Sequence, residues 1–129
     1  MSEIVFLEAE DVMEIQRLQI EAFGGDPGTL SQDALEAACH APRNILHHED
    51  GDLVDCTAAL VWHVCADHTF VDGNKRAAMV AGIVMLSVNG IFLPYDDATQ
   101  EELTALMFSV AEHQASRQDV GEFLRNHIP

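Results

Sequence analysis

Two segments of the chain, Leu53 to about Ala66 and Gly73 to about Asn89, are apolar on most of their sides. A helix of that kind has no face to offer water, so both must be surrounded by other elements. The rest of the chain supplies helices with one apolar face each. From Glu8 to about Phe23 the residues Val12, Ile15, Leu18, Ile20 and Phe23 fit a single helical face. Gly24-Gly25 closes that segment and Asp26-Pro27-Gly28 reads as a turn. Ser31 is an N-cap for a helix to Cys39 or His40, with Ala34, Leu35 and Ala38 inward and Pro42 as its stop. Arg43 to Asp52 reads as an exposed loop or short hairpin. Ile4 to Leu7 reads as a short strand or extended lead-in, and Ile91 to Pro94 as another extended piece. Thr99 to about Gln114 is amphipathic, with Leu103, Leu106, Met107 and Val110 inward; Ser116 to Asp119 resembles a capping box opening a last helix with Val120, Phe123 and Leu124 inward. About six helices and little strand predict an all-α bundle built around two buried central helices, as one domain over 1–129.

Charge narrows the function. The chain carries 6 Lys+Arg against 22 Asp+Glu, a net charge of −16. Phosphate backbones are bound by clustered cations, so direct nucleic-acid binding is not expected, nor is an anionic membrane surface. A basic protein partner is compatible with such a surface. Cys39, Cys56 and Cys65 are odd in number and lie in apolar patterns, as core thiols of a reducing compartment do. Met1 to Glu10 lacks the basic start and apolar run of a signal peptide, and no apolar stretch reaches the ~20 residues of a membrane span. The expected location is the cytoplasm.

Against this acidic background the sole lysine, Lys75, stands next to Arg76 in His68-Thr69-Phe70-Val71-Asp72-Gly73-Asn74-Lys75-Arg76. Both cations fall in the first turn of the second apolar helix, where the helix dipole disfavours positive charge. An anion held between them and the free N–H groups of that turn would resolve the conflict. His68 can take a proton near neutral pH. Asp72 offers hard oxygens for Mg2+, Gly73 permits close approach of backbone, and Asn74 offers amide donors. Phe70 is expected to turn into the core and pin the loop. A base, a magnesium ligand, an anion cradle and two cations suit phosphoryl or nucleotidyl transfer. The pattern is not a P-loop, since glycines are few and no Ser or Thr follows Lys75.

This nine-residue stretch resembles the motif of the Fic/Doc superfamily, and Lys after Asn resembles its Doc (death-on-curing) branch. The resemblance implies a Fic/Doc-like helical bundle with a short flap loop or hairpin that aligns target backbone, here matching the Arg43–Asp52 region. It implies that His68 is the general base for a Ser/Thr hydroxyl on a target protein. It implies that Asp72 organises Mg2+ with the nucleotide phosphates, that Gly73 and Asn74 form the anion hole, and that Lys75 and Arg76 bind phosphate. Doc-like proteins seat ATP reversed and transfer its terminal phosphate. They are toxins of toxin–antitoxin pairs that arrest translation by modifying a host factor, which implies an antitoxin protein as partner. In the adenylylating Fic enzymes Gly usually replaces the Lys, and a second Arg stands where this chain has Met79. Thr69 replaces a common Pro, a change expected to affect loop stiffness more than chemistry. An inhibitory Ser/Thr-x-x-x-Glu-Gly/Asn segment is not found.

Two other functions are kept in view: AMP transfer to a protein hydroxyl, and a catalytically silent module that binds a basic partner. The remaining histidines do not have metal spacing, since His63 and His68 are not on one helical face and HExxH and CxxC are missing. Asp96-Asp97 and Glu101-Glu102 read as a solvated, helix-capping run, and Trp62 as core.

Overall fold

The computed structural model describes residues 3–129. Met1 and Ser2, where the segment read for a leader begins, lie outside the described residues. Six helices follow one another: α1 Ala9–Phe23, α2 Gln32–His48, α3 Leu53–Ala66, α4 Asn74–Val88, α5 Asp97–Ala111 and α6 Arg117–His127. None of the helices is long and apolar enough to cross a membrane.

The two apolar helices are the centre. α3 packs against α2, α4, α5 and α6, and α4 packs against α1, α3 and α5. The α3 face carries Ala58, Ala59, Leu60, Val61, Val64 and Cys65, and the α4 face Ala77, Ala78, Ala81, Met85 and Leu86, all buried. Small residues let the axes approach. A Cβ on Gly82 would come within 2.7 Å of Val61 Cγ2, so the α3–α4 contact uses the space a side chain would fill. Helices α3, α5 and α6 begin on side-chain caps. Asp52 accepts the Asp55 N–H, Asp96 that of Thr99, and Ser116 that of Asp119. The acidic run at Asp96 thus serves as a cap. The Asp96 carboxyl is held below its ordinary range chiefly by the Thr99 backbone N–H.

Several expectations are corrected. α2 does not stop at Pro42 but runs through it to His48, so Arg43 to His48 is helical and only residues 49–52 connect to α3. Proline inside a helix loses a hydrogen bond and costs about 3 kcal/mol. Here Pro42 is buried, Ile45 beyond it is 4% exposed, and the Cys56 thiol donates to the Pro42 carbonyl. Burial of this half of α2 against α3 outweighs the lost bond. The flap expected at Arg43–Asp52 is therefore not a hairpin. Strand-like pairing instead occurs between α1 and α2, where Thr29 forms an antiparallel bridge with Phe70. Ile4 to Leu7 is extended without strand pairing; its Val5 is tied by both main-chain groups to the Asn89 amide at the end of α4. Leu18 and Phe23, expected inward, are 47% and 65% exposed.

All three cysteines are free and buried, and burial pushes each thiol up to about 11. Trp62 donates its indole N–H to the Ala115 carbonyl at 2.9 Å, tying α3 to the α5–α6 connection.

Candidate active site

The connection from α3 to α4 carries the motif, and its neighbours specify its shape. It leaves α3 at Asp67, whose carboxylate meets the His63 ring at 2.9 Å. His68 then takes φ +48, the left-handed region that costs a non-glycine residue roughly 1–2 kcal/mol. The turn leaves the imidazole exposed while the next two residues go inward, Thr69 at 0% and Phe70 at 1% exposure. Phe70 is the pin the sequence implied. The backbone at Thr69 ties the loop down. Its carbonyl accepts the N–H groups of Leu30 and Ser31, while the Val71 N–H donates to the Gly28 carbonyl. The α1–α2 connection is thereby bound along the motif. The Thr69 hydroxyl is buried without a partner.

Asn74 closes the loop. Its side-chain oxygen accepts the Phe70 N–H at 2.8 Å and its amide donates to the Phe70 carbonyl at 3.0 Å. Both ends of the amide are engaged inside the loop, which fixes the side chain against Phe70 and leaves one Nδ2 hydrogen outside these two bonds. Gly73 is the N-cap of α4 at φ +74, where glycine alone is unstrained. The first helical bond of α4 runs from the Ala77 N–H to the Gly73 carbonyl, which leaves the preceding N–H groups at the end of the helix axis. No acidic residue occupies that first turn.

Asp72 lies just before this helix end, exposed. Its Oδ2 accepts the Asp26 N–H at 2.9 Å, a bond that does not use Oδ1. A carboxylate anchored by one oxygen fits a hard divalent cation such as Mg2+. Sequence reasoning missed the group behind it. Gln16 of α1 is 2% exposed and donates to the Asp72 carbonyl at 3.1 Å and, more weakly, to the Asp26 carbonyl at 3.4 Å. The available signal was a lone amide between Val12 and Ile20 in the inward stripe of α1.

Lys75 and Arg76 diverge around α4. The Lys75 ammonium sits 4.9 Å from the centre of the Phe108 ring on α5, and the Arg76 guanidinium 5.1 Å from that of Phe23 on α1. The two rings are 56% and 65% exposed. No pattern marked Phe108 beforehand, since its partner lies on another helix. The Arg76 Nε is buried without a hydrogen-bond partner. The other cations all have carboxylates: Arg17 with Glu14 and Glu21, Arg43 with Glu8, Arg117 with Glu49, Arg125 with Asp52 and Asp55. Among the described residues only Lys75 and Arg76 lack one. In a chain with 22 acidic residues, that exclusion leaves uncompensated positive charge at one helix end, an arrangement suited to an anion.

The Fic/DOC family model matches residues 6–86, more than half of the chain, and the chain belongs to that family. Within it the chain falls on the Doc branch. It is similar to Toxin Doc of Mycolicibacterium smegmatis, 34% identical over 93 residues, which cover 70% of this chain and 69% of that protein. It is also similar to Protein kinase doc of Escherichia phage P1, 26% identical over 120 residues, which cover 92% of each.

Proposed function

We propose that this chain is a Doc-like toxin that transfers the terminal phosphate of ATP to a Ser or Thr hydroxyl of a host translation protein. One observation carries the reading: of the six Lys and Arg residues, the two at the amino end of α4 are the two without carboxylate partners among the described residues. Phosphate oxygens are the groups best matched to two such cations and a row of backbone N–H donors.

In this mechanism His68 takes the proton from the target hydroxyl. The hydroxyl oxygen bonds to the terminal phosphorus, the bridging P–O bond breaks, and ADP leaves with that electron pair. The N–H groups of Gly73 and Asn74, with Lys75 and Arg76, hold the phosphate oxygens as charge moves across them. Asp72 would hold Mg2+ with its carboxylate, and the ion would supply charge neutralisation to the phosphates. Phosphate transfer is favoured over AMP transfer because Met79 is 8% exposed and receives the Thr104 hydroxyl. The position where adenylylating relatives carry their second Arg is thus core. An antitoxin protein is the proposed restraint and the cytoplasm the proposed location, in keeping with three buried free thiols.

Label transfer tests the reading. The purified protein is incubated with host lysate, Mg2+ and ATP labelled on the terminal or the α-phosphate, with His68→Ala as control. Label from the terminal phosphate only, lost in the variant, is expected. Label from the α-phosphate would establish AMP transfer instead. With a translating lysate supplied, the lack of either would leave a module that binds without chemistry.

A further inference from the structure

We propose that Gln16 is a positioning residue for Asp72, holding from α1 the carboxylate that would bind Mg2+. The inference rests on the phosphate-transfer reading for its consequence, but not for its geometry.

A buried glutamine in an apolar stripe needs partners, because a side-chain amide left without them keeps its full desolvation cost. Gln16 finds both in the site: the carbonyls of Asp72 and Asp26. Asp72 completes the arrangement by accepting the Asp26 N–H on Oδ2. One amide therefore fixes the backbone on both sides of a single carboxylate hydrogen bond, and that bond orients the carboxylate. Packing reinforces the alignment. Ile20, one turn further along α1, has its Cδ1 3.0 Å from where a Cβ on Gly25 would lie and 3.2 Å from where one on Gly73 would lie. Gly25, at φ +115, also passes so close that its Cβ would stand 3.3 Å from the Asp72 Cβ. α1 thus contacts the loop from behind at Asp72 and Gly73 with no room for drift. A core glutamine with a packing role alone would not need both acceptors to flank the one carboxylate of the motif.

Groups that orient a metal ligand typically change metal affinity ~10–100-fold when removed. Gln16→Met keeps the volume and removes the donor. Two readouts apply. The first is hydrogen exchange of the Asp26 amide by NMR without nucleotide or metal. The second is the Mg2+ concentration for half-maximal phosphate transfer. The expected result is loss of Asp26 protection together with a rise of roughly tenfold in the Mg2+ requirement, while transfer at saturating Mg2+ stays near wild type. Gln16→Leu, which also lacks the donor, should reproduce both effects and carries the test if Gln16→Met fails to fold. Unchanged Asp26 protection would overturn the proposal, as would lost protection with an unchanged Mg2+ requirement. If wild type transfers no phosphate, the proposed function fails, and Asp26 exchange still decides whether Gln16 positions Asp72.

Discussion

Asn74 gives the sharpest test of how the loop is built. Asn74→Ala leaves the Phe70 N–H and carbonyl without the partners they have at 2.8 and 3.0 Å. These groups are only part-buried, so water can reach them once the loop yields, and the cost falls near about 1 kcal/mol per bond. Alanine returns about 0.5 kcal/mol of helix preference at the start of α4. The net loss is about 1.5 kcal/mol, and for a chain of this size about 3–5 °C accompanies each kcal/mol, so Tm should fall by roughly 5–7 °C. Asn74→Asp keeps the acceptor and adds a charge favoured at a helix start, so it should melt between the two. Thermal unfolding followed by circular dichroism gives the shifts, and exchange of the Phe70 amide locates them. If Asn74→Ala melts within a degree of wild type and the Phe70 amide stays protected, the amide clamp is not what holds this loop.

His68→Gly should remove the left-handed penalty of roughly 1 kcal/mol at φ +48, so it should melt no lower than wild type while phosphate transfer falls by ~10²–10⁴-fold; paired melting and label-transfer assays check this. The Asp52 carboxyl, hydrogen-bonded by Arg125, is lowered to about 2, below its unfolded value of about 3.9. Its stabilising contribution is therefore complete above about pH 4 and is lost as pH falls toward 2, and Arg125→Ala should flatten that part of a Tm-against-pH curve. The thiols of Cys39, Cys56 and Cys65, buried and pushed up to about 11, should resist alkylation at pH 8 until the protein is unfolded, as mass spectrometry would show.

Legibility in the sequence followed the kind of interaction involved. α3 was readable because its apolar run is local, and Ser116 announced α6 because a capping box is local. Phe70 was readable as the loop's anchor because a large aromatic residue in an otherwise largely polar loop has a core to go to. Pro42 misled because its effect on the backbone is local, while the burial that outweighs it comes from α3. The direction of the Asn74 side chain depended on the fold of four residues before it. Phe23 and Phe108 entered the site from other helices, through contacts no spacing encodes, while Gln16 left only the trace of a lone amide in an apolar stripe.

The exclusion of carboxylates from Lys75 and Arg76 also has a kinetic side. A nucleotide approaching from a distance meets a body of net charge −16, and it meets the two free cations only at close range. The long-range field slows encounter, whereas the short-range field holds what arrives. Added salt screens the first more than the second, because the Debye length shrinks to ~10 Å at 0.1 M. Stopped-flow association of a nucleotide should therefore quicken as ionic strength rises from very low values, the reverse of the usual dependence for an anion entering a cationic pocket.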